Sequence, residues 1–359
     1  MHRRGFLQAL AAAAATPALA AQTPAIALGF DTYSLRAFRW KDMQLIDYAA
    51  GLKLDTIQIS SLGDYASLEP EHLRQVREHA DKAGIRLDAG MGCICPASKS
   101  WNKNGPPVEQ QIVKGLQVAK AIGANAMRCF MGSSEDRKTP DQLQLCMETT
   151  IKVFRGLKSQ AQDLGVKIAL ENHAGDMQAR EVRTVIEESG KDFTASCLDT
   201  GNPMWVAEDP MVTLEVLAPY VVTTHVRDSI VFEVPEGAAA QWVTLGDGVV
   251  DFAAFFAKYR QLCPKAPVQL ESITGRPPRV VPYLQPDFWK NFAATPASEF
   301  ARFVELAKQG HPYMGAMVIE DIAGKKPAAY TAALQEQQRV DLERGLGYAK
   351  AKLGLGKRG

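Results

Sequence analysis

The sequence predicts one α/β domain, a (β/α)8 barrel, on three observations. Eight short apolar runs alternate with amphipathic stretches along a chain of 359 residues. The runs are predominantly apolar and could be buried on both faces, as a parallel barrel strand must be. Four of them break into a metal-compatible side chain at the C-terminal end: Glu171 in KIALENH, Asp199 in ASCLDTGN, His225 in VVTTHVRD and Glu271 in VQLES. Catalytic groups of a (β/α)8 barrel stand at that end of its strands.

Strands are expected at 26–30, 56–59, 86–90, 126–130, 167–171, 195–199, 221–225 and 268–271. Between them, 43–52, 72–83, 112–122, 143–164, 182–188, 210–217 and 252–262 place apolar residues at three- and four-residue steps, the helical period. Gly84, Gly123 and Gly165 follow three of these stretches where a helix C-cap belongs. Complete alternation of strand and helix favours a closed barrel over an open sheet. Residues 328–353 have helix composition and are expected to close the outer ring. Two connections are long, 229–248 and 272–295, the second carrying Pro277, Pro278, Pro282, Tyr283, Phe288, Trp289 and Phe292. Loops of that length are usually functional or disordered. They are expected either to wall a pocket or to pack as an aromatic patch on the barrel rim.

Composition narrows the partners. With 46% hydrophobic residues the chain can bury one large core. Forty-one Lys and Arg against 40 Asp and Glu leave a formal charge of +1, so no net field draws nucleic acid or an anionic membrane. A small molecule is the expected partner, and the sequence leaves a homo-oligomer open. The first twenty residues, MHRRGFLQALAAAAATPALA, pair Arg3 and Arg4 ahead of an Ala-rich stretch and an Ala18-Leu19-Ala20 cleavage pattern. They are similar to a twin-arginine export signal, and too weakly apolar for a stable membrane anchor. The expectation is a signal peptide over 1–20, a barrel over 21–359 and a periplasmic or otherwise exported location. Among the six cysteines, Cys129 and Cys197 lie within apolar strand-like runs, so mostly buried free thiols are expected.

Three carboxylates and an imidazole form a hard donor set that suits Mn2+, Mg2+ or Co2+, with Zn2+ also compatible, and leaves coordination positions open for substrate oxygens. A divalent ion chelated by a carbonyl and its neighbouring hydroxyl acidifies the C–H between them and stabilises an enediolate. Glu171 and Glu271, on strands separated by two others around the ring, are expected to move the proton. His173 and Arg227 each lie two residues beyond a proposed ligand, on its side of an extended strand, and are candidates for binding substrate oxygens. Loop packing and a surface cation are their respective alternatives. Asn202 is read as holding a hydroxyl or capping the next turn. Asp228 is read as orienting His225 or the adjacent loop, or as forming a surface salt bridge. Tyr33 and Ser34 are placed to reach the pocket or pack in the core.

From LGFDTYSLR through ALENHAG, CLDTGN, THVRDS and LGDGVVDF to the strand ending in Glu271, the chain resembles the xylose isomerase-like TIM barrel superfamily of sugar isomerases and epimerases. The resemblance implies a divalent ion at Glu171, Asp199, His225 and Glu271, with both glutamates in proton transfer. Ketose 3-epimerases of that superfamily commonly carry a histidine three residues after the ligating aspartate, whereas Asn202 stands here. Many members carry Lys at the position of Arg227. The superfamily's trinuclear zinc endonucleases need more histidines than this chain has, since its six are His2, His72, His79, His173, His225 and His311. The expected function is a metal-dependent isomerase or epimerase of an unphosphorylated sugar or keto-sugar. A lyase performing β-elimination on a keto-sugar or 3-keto-glycoside is the first alternative, and a non-catalytic periplasmic carbohydrate-binding protein the second.

Overall fold

In the computed structural model, residues 25–315 and 319–357 are described; the expected export signal at 1–20 lies outside them. In chain order the strands are β1 (Leu28–Asp31), β2 (Thr56–Ile59), β3 (Arg86–Cys93), β4 (Ala126–Phe130), β5 (Lys167–Glu171), β6 (Thr194–Asp199), β7 (Val221–His225), β8 (Asp228–Val234), β9 (Gly237–Val243), β10 (Val268–Leu270) and β11 (Arg279–Val281). Eight of them pair in parallel, in the order β10-β1-β2-β3-β4-β5-β6-β7. The ring closes where Val226 bridges Leu270: the Val226 N–H donates to Gln269 O at 2.8 Å and the Glu271 N–H to Val226 O at 3.0 Å. Glu271, one residue past β10, is therefore fixed by backbone bonds. Register does the rest, setting Glu171 opposite Cys197 and Asp199 opposite His225, so that consecutive strands deliver their polar ends to one level.

The helices are α1 (Asp42–Gly51), α2 (Pro70–Ala83), α3 (Val108–Ala121), α4 (Pro140–Gly156), α5 (Lys158–Leu164), α6 (Ala179–Ser189), α7 (Pro210–Leu217), α8 (Phe252–Leu262), α9 (Ala297–Gln309) and α10 (Ala328–Leu353). Helix α2 buries Leu73, Val76 and Ala80, one stripe at helical spacing, and stops at Gly84, whose φ of 68° suits a residue without a Cβ. Helix α7 opens with Pro210 at its first turn while the Asp209 carboxylate accepts from the Met211 N–H at 2.8 Å. The single helix expected over 143–164 is in fact two. Leu157 leaves helical geometry at ψ 7° with its side chain buried in the core, and α5 starts after it. Among the described residues no helix is long and apolar enough to cross a membrane.

The larger correction concerns the two long connections. Residues 229–248 are mostly an antiparallel hairpin, β8 and β9, paired from Asp228↔Val243 to Val234↔Gly237. Within 272–295, β11 adds to β9 as a third strand. The alanines of GAAAQWV gave little strand signal on their own, and the pairing supplies what propensity lacked. Helix α9, absent from the expected set, packs Phe303 and Ala307 onto this sheet beside Val231, Ala238, Ala240 and Val281. Tyr283 and Trp289 pack in the same small core, with the indole N–H of Trp289 donating to Tyr283 O at 2.8 Å. The connections are thus a pocket wall and a packed aromatic patch at once.

One buried acid outside the site sets a pH dependence. Glu208 accepts from the Thr213 hydroxyl at 2.6 Å and from the Ala179 N–H at 3.1 Å, joining the starts of α6 and α7. Burial pushes its pKa up to about 7 from 4.5. The folded state binds this proton more tightly than the unfolded chain, so the group's contribution is complete below the unfolded value and is lost as pH rises through about 7. Glu208→Gln is expected to flatten the fall in Tm across that window. An unchanged slope in thermal melts against pH would show that Glu208 is not the group responsible.

Candidate metal centre and its cavity

Glu171, Asp199, His225 and Glu271 each bring one donor atom to a common point, and these atoms lie within 4.8 Å of one another. All four side chains are buried. His225 Nδ1 stands 3.4 Å from Glu171 Oε1 and 3.5 Å from Glu271 Oε2, and makes no hydrogen bond. Its Nε2 faces the other way, 3.3 Å from Asp31 Oδ2 and in contact with the Gln58 amide. With Nε2–H directed at Asp31, the Nδ1 lone pair points among carboxylates, which calls for a cation there.

Charge counting agrees. Arg128 from β4 pairs with Glu171, while Arg227 bridges Asp199 and Glu271, reaching the latter at 2.6 Å. With Asp31 included, four carboxylates face two guanidiniums, so a neutral imidazole leaves two negative charges uncompensated. One divalent cation supplies the balance, and the donor set fits it. Burial alone would lower the His225 pKa, yet the surrounding negative charge, Glu271, Glu171 and Asp31 included, holds it well above its ordinary value. Burial likewise opposes ionisation of Glu171, but Arg128 and His225 keep its carboxyl well below the usual range. The pocket is built to hold positive charge.

The other expected residues fall around this point. Arg227 is buried, not a surface cation, at 2% exposure. Asn202 neither caps a turn through its side chain nor stands free: its amide donates to Glu171 Oε1 at 3.2 Å and Asn172 O at 2.8 Å, leaving Oδ1 without a partner. His173 stacks on Phe130 with centroids 3.8 Å apart, and its Nδ1 bonds Gly132 O at 2.7 Å. Asp228 is a correction to the imidazole-orienting role. Its carboxylate accepts from the N–H groups of Ser229, Gly246, Gly248 and Val250, so it ties down the LGDGVV loop, and Asp31 and Gln58 serve His225 instead. A Cβ at Gly248 would lie 2.0 Å from Asp228 Oδ1, which is why glycine stands there. Ser34 is buried in the backbone, donating to Leu270 O and accepting from the Ser272 N–H, whereas Tyr33 lines the cavity.

That cavity has a volume of about 430 Å3 and opens over Glu271, Arg128, His173, Asn202 and Arg227. Its outer side is a stack that sequence reading did not find. The Arg227 guanidinium lies 4.2 Å from the Trp242 ring centroid, Trp242 stacks on Trp205 at 3.9 Å, and Arg279 lies 4.8 Å from Trp205. The column runs from the metal centre through β9 to β11, so the added sheet fixes a guanidinium of the site. Trp242→Leu is expected to lower turnover about ten-fold by freeing Arg227, a loss on the scale of one buried cation–π contact. Circular dichroism checks that the fold persists, and turnover equal to the parent's would separate the column from the chemistry. Arg128 and Asp31 were also missed, although a charged residue inside the apolar run AMRCF already signals a buried ion pair.

A 3-oxo-isoapionate decarboxylase of Pectobacterium atrosepticum is 24% identical over 252 residues, 66% of this chain and 81% of its own. The Escherichia coli K12 protein YihM is 26% identical over 222 residues, and the match spans 63% of its length. The structure of a D-psicose 3-epimerase with D-fructose superposes with a TM-score of 0.57 at 16% identity, covering 92% of this chain and 100% of that one. The E. coli 3-keto-D-glucoside 4-epimerase YcjR gives 0.53 at 15% identity, covering 75% and 98%. At these identities the structural likeness is one of fold. The family described as xylose isomerase-like TIM barrel matches residues 46–281, well over half of the sequence, and the chain belongs to it.

Proposed function

We propose that this protein is a divalent-metal-dependent isomerase or epimerase of an unphosphorylated sugar or keto-sugar. The observation that carries the reading is the placement of two carboxylates, Glu171 and Glu271, within 3.5 Å of one imidazole nitrogen that needs a cation. Glu271 opens on the cavity and takes the proton next to the substrate carbonyl. Glu171, beside the same nitrogen, is the second proton carrier. Glu171, Asp199, His225 and Glu271 hold the ion, which when bound supplies Lewis-acid stabilisation of the charge that the substrate oxygens gain on proton loss. His173, Asn202 and Arg227 line the cavity and are the groups to which substrate hydroxyls bind. The twin-arginine-like leader supports an exported enzyme, for which phosphorylated sugars are poor candidates; cell fractionation of the Arg3→Lys, Arg4→Lys pair against the parent checks export.

A lyase reading has its own support: a relative is named as a decarboxylase, a lyase acting on a 3-oxo sugar acid although not by β-elimination, and Asn202 replaces the histidine that the resemblance implies for ketose 3-epimerases. Proton NMR in D2O with magnesium-loaded protein, ketoses and 3-keto-glycosides separates the readings. Deuterium incorporation with a rearranged sugar is the expected result. An unsaturated ketone with released aglycone would transfer the assignment to a lyase. Sugar binding without exchange would make the protein a non-catalytic carbohydrate binder.

A further inference from the structure

A second cavity of about 510 Å3 adjoins the first, and Tyr33 and Ser60 line both. It lies beyond the C-terminal ends of β1 and β2, on the face that carries the metal centre, and none of the proposed metal ligands lines it. Its walls combine the apolar Trp40 and Leu35 with Asp64, Ser61 and Arg39. A sugar ring has the matching surface, a C–H face that packs on an aromatic ring and a rim of hydroxyls that seek charged and hydroxylic side chains. Arg36 and Lys41 also line it, so the polar rim offers donors of both charged and hydroxylic kinds.

Arg39 adds an independent sign. Its guanidinium makes no hydrogen bond or ion pair among the described residues, and its backbone is left-handed at φ 54°. That geometry caps the turn over 32–38, with the Arg39 N–H donating to Arg36 O at 3.3 Å, and it sets the guanidinium on the cavity wall. Tyr33, at the junction of the two cavities, remains 38% exposed with Arg36 over its ring at 4.6 Å.

We infer that this cavity is a second sugar subsite, and that the substrate is a disaccharide or glycoside whose keto-sugar ring reacts over Glu271 while its other ring rests against Trp40. The inference rests on the carbohydrate chemistry proposed for the metal centre. It assigns Arg39, Trp40 and Asp64 to substrate choice and leaves proton transfer to the residues already named.

Calorimetric titration of the magnesium-loaded full chain with methyl glucoside and with maltose, cellobiose and trehalose tests it. At least one disaccharide is expected to bind roughly ten-fold more tightly than methyl glucoside. Arg39→Asn and Trp40→Leu should erase that gain and leave the monosaccharide affinity unchanged. Asn tolerates the left-handed backbone, so Arg39→Asn reports even if the loss of Trp40 disturbs its packing on Phe38. Equal affinity for all four probes, or equal weakening of both classes in the variants, would overturn the subsite. Should deuterium exchange on free ketoses persist in that case, the subsite alone has failed; absence of both binding and exchange would remove the carbohydrate reading with it.

Discussion

Glu271→Gln is expected to abolish proton exchange, lowering turnover by about three orders of magnitude, since general acid–base catalysis contributes roughly 10²–10⁴-fold. The change is isosteric and keeps a hydrogen-bonding group against Arg227, 2.6 Å away. It removes a base that opens on the cavity and a charge that faces His225 Nδ1 at 3.5 Å. The two losses can be told apart. Metal content by elemental analysis reports the weakened cation site, and exchange rate at saturating metal reports the missing base. Turnover within ten-fold of the parent at full metal occupancy would remove Glu271 from the reaction. Glu171→Gln should be nearly as damaging, with a further consequence: Arg128, buried and paired with Glu171, loses its partner. Leaving a buried charge uncompensated costs about 3–5 kcal/mol, so this variant is also expected to melt earlier.

Chelation should reproduce part of that instability without any mutation. Four buried carboxylates crowd one imidazole and two guanidiniums, and without an ion part of the balance falls to protonation of His225, whose pKa that charge raises. A divalent ion that binds the folded chain alone adds about 2.7 kcal/mol at one hundred times its dissociation constant and about 4.1 kcal/mol at a thousand times. Dialysis against EDTA is expected to lower Tm by several degrees, and Mn2+, Mg2+ or Co2+ to restore it; the order of recovery ranks the ions. The Asp199→Asn protein should show a smaller response because the site loses one charge. A Tm indifferent to chelator and to added metal would show that the cluster is an internal salt-bridge network.

Much of the fold was legible because parallel barrel strands are short, continuously apolar and punctuated by helices. Thr56–Ile59, Ala126–Phe130 and Lys167–Glu171 fall where the apolar runs placed them. The four clustered side chains were legible for the same reason, each being a metal-compatible residue at the C-terminal end of such a run. What stayed hidden depends on distant partners. The hairpin needs β9 against β8, with β11 on its outer edge, before its alanines read as strand. Asp31 becomes a partner of His225 only when the ring closes and brings β1 within one strand of β7, and Trp242 meets Arg227 only when the hairpin folds back over the strand ends. Of the roles read for Asp228, the loop is the one found: its carboxylate accepts from the N–H groups of Gly246, Gly248 and Val250 and of its neighbour Ser229, not from His225.

The wall formed by β8, β9, β11 and α9 has a small apolar core separate from that of the barrel and no ladder bond to the parallel sheet. Regions with their own contacts can open as cooperative units below the free energy of global unfolding. Amides of β8 and β9 should therefore exchange with solvent deuterium sooner than those of β4, β5 and β6. An opening of that unit would carry Trp242 off Arg227 and uncover the cavity while the four clustered side chains stay in register. A rigid reaction centre could in this way admit a bulky ligand through the breathing of its neighbour.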